Sequence, residues 1–203
     1  MIVSLHVTGA KAQAEWRPAA AREGIKVYVK TIPGSKIRAM KAECALEATT
    51  GEVIALLMDV KAAERWVCHT KSCTLVKAVS DKELYYHTEV SLPWPLDNRD
   101  FVTHLKVTHD DRSGIVTVDA PAVPGIVPVR KGVVRIGRSV NRWIIRPSPD
   151  GSVWVEYMLQ VDPGGNIPAH VINMFACRAP IETFRNMRKI LAERRAGHRP
   201  GHG

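Results

Sequence analysis

The sequence predicts an α+β fold: a curved antiparallel sheet wrapped around a long C-terminal helix, with an internal hydrophobic cavity between them. Two periodicities carry this reading. From Thr74 to Val161, apolar and polar residues alternate with period two, the mark of half-buried strands. Beyond that, Ile167, Val171, Met174, Ile181, Phe184, Met187 and Leu191 recur every three or four residues and form one apolar helical stripe. Such a stripe must be buried, and hairpin-connected strands offer the face that buries it. A sheet that grips a helix leaves a gap in which a ligand can sit.

The elements follow in order. The Ala-rich stretch before Gly24, which carries Trp16, reads as linker or short helix. Ile25 to Lys30 alternates and pairs through a Pro33-Gly34-Ser35 turn with a strand from Ile37 to Leu46. Thr49 or Thr50 caps a helix that carries Val53, Leu56 and Leu57. Asp59 opens a second short helix that reaches Trp66. Strands then run through Leu84–Leu92, Phe101–Val107, Ile115–Asp119 and Val153–Val161. The basic stretch between them holds one more strand pair or one long bent strand, its phase slipping at Gly137-Arg138-Ser139. In the last helix Pro168 suits the first turn, whereas Pro180 falls inside and predicts a kink.

Composition bounds the function. A chain of 203 residues with 45% hydrophobic and 24% charged residues suits one globular domain, placed at residues 16–195 between a leader (1–15) and a basic tail (196–203). The leader ends in Ala12-Gln13-Ala14, which has the form of an export cleavage site, but no basic segment precedes its short apolar run. A cytoplasmic protein is expected, or a periplasmic one if the native N-terminus carries a longer signal. Four scattered cysteines suggest no disulfide framework. The net charge of +9 is uneven: Arg130, Lys131, Arg135, Arg138, Arg142 and Arg146 fall in a stretch without acids, and Arg185, Arg188, Lys189, Arg194, Arg195 and Arg199 crowd the end. Transient contact with an anionic membrane surface is expected. No nucleic-acid partner is expected, because aromatics are only 6% and no basic recognition helix appears.

Four segments, in order, give the sequence a family resemblance. They are Gly24-Ile25-Lys26-Val27-Tyr28; the helix ending in Met58-Asp59 and reaching Trp66; Leu92-Pro93-Trp94-Pro95-Leu96 followed by Asn98-Arg99-Asp100-Phe101-Val102; and Asp162-Pro163-Gly164-Gly165-Asn166-Ile167-Pro168 with Asn173 beyond. Together they resemble the START lipid-transfer domains of the helix-grip superfamily over residues 16 to 192. The resemblance implies a START-like helix-grip fold whose cavity binds one lipid-like molecule, for transfer or sensing. It implies ligand contacts at Leu92, Trp94, Leu105, Ile172, Phe175, Ala176, Thr183 and Met187, and a structural or gating role for Arg99, Asp100 and Pro180. Leu105 stands where sterol-binding members place a buried base, so a sterol-type anchor is not expected.

Catalytic chemistry is not expected. Adjacent strand residues such as Arg99 and Asp100 face opposite ways, and the His87/Glu89 and His104/Lys106 pairs read as surface alternation. The alternative is an aromatase/cyclase-type enzyme on the same fold, which requires polar groups converging in the cavity. Cys68-His69 with Cys73 lacks the paired spacing of structural zinc, so no metal is expected. No cofactor is expected, and the chain is expected to be a monomer.

Overall fold

The computed structural model describes residues 15–32, 38–165 and 167–197. The leader, the Pro33-Gly34-Ser35 turn and the tail beyond Gly197 lie outside the described residues. In chain order the elements are β1 (Arg17–Arg22), β2 (Ile25–Thr31), β3 (Arg38–Leu46), α1 (Thr50–Met58), α2 (Ala63–Trp66), β4 (Thr70–Ser80), β5 (Glu83–Val90) and β6 (Asn98–His109). There follow β7 (Val116–Asp119), β8 (Val133–Arg135), β9 (Ser139–Pro147), β10 (Val153–Val161), α3 (Ala169–Cys177) and α4 (Ala179–Gly197). One sheet runs β1-β2-β3-β10-β9-β7-β6-β5-β4, with β8 paired parallel to the start of β6.

The alternating phase fixes which face is buried. Val155 and Tyr157 of β10 pair with Ile145 and Trp143 of β9, and Leu105 and Val107 of β6 belong to the same core. The stripe of α4 completes this core: Phe184, Met187, Ile190 and Leu191 join Ile25, Val27, Ala42, Cys44 and Leu46. Two arginines fix α4 to the sheet. Arg185 grips the Glu23 carboxylate at 3.0 and 2.8 Å, and Arg188 donates to the Glu23 and Ala45 carbonyls. Glu23 and Gly24 both have positive φ, as a two-residue turn between right-twisted strands demands.

Helix α1 begins with a reciprocal cap. The Glu52 amide donates to Thr49 Oγ1, and the Thr49 amide donates to Glu52 Oε2. Arg195 of α4 then binds the same Glu52 carboxylate at 2.7 and 2.9 Å. Thr49→Ala is therefore expected to cost about 1 kcal/mol in a urea unfolding titration.

Two expectations need correction. The segment before Gly24 is an edge strand rather than a linker: Arg17-Pro18-Ala19-Ala20-Ala21-Arg22 pairs with β2 through main-chain bonds, with a register shift at Pro18/Ala20. Proline is tolerated at a sheet edge, and the exposed alanines carry no alternation to read. The C-terminal stripe belongs to two helices, not to one kinked helix. α3 stops at Cys177, α4 starts at Ala179, and Pro180 lies in the first turn of α4, where its missing N–H leaves nothing unpaired. Several side chains of the two basic blocks have acidic partners, most of them in half-exposed ion pairs at the surface. Arg130 pairs with Glu89, Arg135 with Asp100, Arg142 with Asp119, Arg194 with Asp59 and Arg195 with Glu52.

Candidate functional site

The gap expected between sheet and helices is a cavity of about 260 Å³. Its walls follow from the period of two: Tyr86, Thr88, Val90 and Leu92 from β5 and its exit, Phe101 and Leu105 from β6, Asn141 and Trp143 from β9, and Tyr157, Leu159 and Val161 from β10. Helix α3 covers it with Val171, Ile172, Phe175 and Ala176, and the start of α4 adds Pro180 and Thr183. At one end the aromatic rings interlock. Trp143 stacks on Tyr157 with centroids 4.0 Å apart and meets Trp66 and Phe184 edge-on at 5.9 and 5.8 Å.

The wall is mostly apolar, but its polar atoms are placed distinctively. Trp66 Nε1, Thr70 Oγ1 and Asn141 Oδ1 are buried without a hydrogen-bond partner in the protein, and all three residues line the cavity. A buried donor or acceptor left unmade costs about 1–3 kcal/mol, so such atoms mark where a ligand oxygen or a water fits. The phenols of Tyr86 and Tyr157 also face this space, and burial raises both well above the usual tyrosine range. Arg99 lines the cavity too. Its guanidinium, 5% exposed, donates to the carbonyls of Pro163 and Gly164 at 3.0 Å each and to that of Asp97. Burial lowers its affinity for its proton. These bonds tie the start of β6 to the loop that leads into α3.

Six of the eight expected contact residues line this space: Leu92, Leu105, Ile172, Phe175, Ala176 and Thr183. Two do not. Met187 is wholly buried one helical turn beyond Thr183, in the core beneath α4. Trp94 is 92% exposed on the loop between β5 and β6 and lies outside the cavity. Of the structural or gating group, Pro180 and Arg99 border the cavity, whereas Asp100 does not. Trp66, Tyr86, Phe101, Asn141, Trp143 and Tyr157 also line the cavity, and none of them was assigned to it from the sequence. The strand phase shared with Leu92, Leu105 and Leu159 could have found five of them.

Asp100 sits on the opposite face of the sheet, fully buried between Arg135, which binds it at 2.8 and 3.0 Å, and His87 at 2.9 Å. Beside it, Glu89 accepts from Lys71, Asn98 and Arg130, and these hydrogen bonds pull its carboxyl down to about 2. His104 bonds Glu83 at 2.7 Å and stacks on Tyr85. Both histidine pairs therefore point away from the cavity. Among the described residues, no histidine, aspartate or glutamate lines it.

Comparison with known proteins agrees with this geometry. A STAR-related lipid transfer protein of Xanthomonas axonopodis is 37% identical and superposes with a TM-score of 0.80, covering 87% of this chain and 98% of that one. The mouse phosphatidylcholine transfer protein is 28% identical over 167 residues, 80% of this chain and 77% of the relative. The Zhui aromatase/cyclase of a Streptomyces species shares the fold at 10% identity, with a TM-score of 0.55 over 82% of this chain and 99% of that one. The START domain model matches residues 7–197. With the curved sheet, the gripped helix and the cavity between them, the chain belongs to the START domain family.

Proposed function

We propose that the protein encloses one lipid-like molecule in the cavity and carries it between membranes. The observation that carries this reading is the character of the wall: an apolar surface of strand and helix side chains, interrupted by the unpartnered atoms of Trp66, Thr70 and Asn141 and by the Arg99 guanidinium. Each methylene taken out of water contributes about 0.8 kcal/mol, so an acyl chain supplies the affinity. The polar atoms select a ligand with oxygens in its head or linkage, because an all-hydrocarbon ligand would leave them unpaired. The Xanthomonas and mouse relatives are both named for lipid transfer.

Docking is assigned to the edge where β6 and β8 begin side by side. Asn98 pairs with Val133 in parallel, so the loops before both strands emerge together. Those loops carry Trp94, 92% exposed, and Val129, 68% exposed, with Lys131 alongside. An exposed indole next to a basic residue suits a membrane interface. The Arg99-bound loop before α3 lies at the same end, so docking there would bring the bilayer to the helix that covers the cavity.

A vesicle-to-vesicle assay with a fluorescent phospholipid tests this. The protein is expected to accelerate transfer, and Trp94→Ala is expected to slow it about tenfold, equivalent to ~1.4 kcal/mol of lost membrane affinity, with cavity binding unchanged. Equal rates for both proteins would remove Trp94 from the docking surface. An aromatase/cyclase-type reaction would need acid and base groups converging on the cavity, and among the described residues its lining offers phenols and a thiol but no histidine or carboxylate.

A further inference from the structure

We propose that Cys68, His69 and Glu182 form a binding site for a divalent cation of the zinc class, beside the junction of α3 and α4, that meets the cavity wall at Cys68. One ligand atom from each residue, a cysteine sulfur, an imidazole nitrogen and a carboxylate oxygen, lies within 4.8 Å of the other two. The Cys68 Sγ–Glu182 Oε2 separation is 2.9 Å. Zinc bonds of about 2.3 Å to sulfur and about 2.0–2.2 Å to nitrogen and oxygen set tetrahedral donors roughly 3.3–3.6 Å apart. Small side-chain rotations therefore suffice to close the set on one ion.

The backbone makes the juxtaposition. Neighbouring residues of an extended chain point to opposite sides, which would separate Cys68 from His69. His69 instead has φ +64°, in the left-handed region, and this turns its ring to the side of Cys68. The ring is held there against Phe175 of α3, centroids 4.5 Å apart. Cys68 is held from the other direction: its amide donates to Thr183 Oγ1 at 3.1 Å, next to Glu182 in the first turns of α4. Three segments, α3, α4 and the connection from α2 to β4, thus converge on the trio.

The sequence hides this site because its third ligand lies 114 residues from Cys68. Cys73, the nearer candidate, is buried elsewhere against Thr88 Oγ1 at 3.3 Å. Mixed sulfur, nitrogen and oxygen ligands favour zinc over magnesium or calcium. Three protein ligands leave one position of a tetrahedron open. Cys68 and Phe175 both line the cavity, so that position is available to water or to an oxygen of the enclosed molecule. On binding, the thiol proton passes to solvent and the Cys68–Glu182 hydrogen bond is replaced by two metal bonds. Such an ion would staple the cavity wall to α4.

The test uses the full chain with His198 and His202 replaced by asparagine, so that tail imidazoles contribute nothing. After chelator treatment, cobalt(II) and then zinc(II) are titrated in. One equivalent of cobalt is expected to give a thiolate charge-transfer band in the near ultraviolet with intense tetrahedral visible bands, and zinc is expected to displace it. Cys68→Ser is expected to abolish the charge-transfer band, and Glu182→Gln, at an exposed position, to weaken binding at least about tenfold. Cys73→Ser is expected to keep the full signal. Each variant's thermal midpoint in chelator, compared with the parent's, separates loss of metal from loss of fold. A parent protein without a thiolate band overturns the proposal, as does a well-folded Cys68→Ser protein that keeps the band.

Discussion

Replacing Asp100 by alanine is expected to lower stability by about 3–5 kcal/mol. The carboxylate is fully buried and accepts from Nε and Nη2 of Arg135, while Nη1 donates to the Val127 carbonyl and Nη2 also to that of Pro128. Removing one partner of such a pair strands the other charge away from water, and that stranded charge sets the magnitude. The loop covering this face is expected to loosen as well, because Asp100 anchors Arg135 of β8, the strand paired with the start of β6.

The acid limb of the stability curve carries the same signature. Burial pushes the Asp100 carboxyl up, but the hydrogen bonds from Arg135 and His87, with their attraction, outweigh it and hold the group below its ordinary value. A depressed carboxylate contributes stability that is present above the unfolded value of about 3.9 and is lost as pH falls through the folded value. Glu89, held at about 2 by Lys71, Asn98 and Arg130, loses its contribution between about pH 4 and pH 2. Urea titrations at pH 7 and pH 3 check both. The deficit of Asp100→Ala relative to wild type should shrink at the lower pH, and an unchanged deficit would mean that its charge is not what stabilises.

Filling the cavity is expected to have the second large effect. Ala176 of α3 is half-buried on the cavity wall, and Ala176→Trp would place an indole in space otherwise open to ligand. Excluding only two methylenes removes about 1.6 kcal/mol of burial, more than tenfold in affinity. Lipid captured from vesicles should therefore fall at least about tenfold, while the unfolding free energy stays within about 1 kcal/mol because the ring enters existing space. Val140→Trp, at an exposed position on β9, is the matched control and should bind as wild type does. Undiminished capture by Ala176→Trp would place the lipid elsewhere on the molecule.

What the sequence made legible was whatever is local and periodic. Alternation along β5, β6 and β10 located the inward faces, and the stripe of Phe184 and Leu191 located the gripped helix. The cap of α1 was narrowed to Thr49 or Thr50, and the structure places it at Thr49 with Glu52. The same logic failed wherever the determining partner is distant. Arg130 and Arg135 looked like a free basic surface because their acids, Glu89 and Asp100, lie 41 and 35 residues upstream. Strand β1 was hidden because main-chain pairing at an edge needs no alternation. Met187 shares its stripe with the cavity residue Thr183, and helical spacing alone does not say where along α4 the cavity ends and the packed core begins. The unpartnered atoms of Trp66 and Asn141 were not legible, because an unpartnered atom is a property of the folded surroundings, not of the residue.

The most direct test of the lipid-carrier reading is native mass spectrometry of the protein purified from its own host, followed by organic extraction of whatever is bound. The account expects one lipid-sized adduct per chain, containing oxygen and at least one long hydrocarbon chain, and its loss in Ala176→Trp. A protein that arrives at its bare mass and still takes up no lipid after incubation with phospholipid vesicles would contradict it.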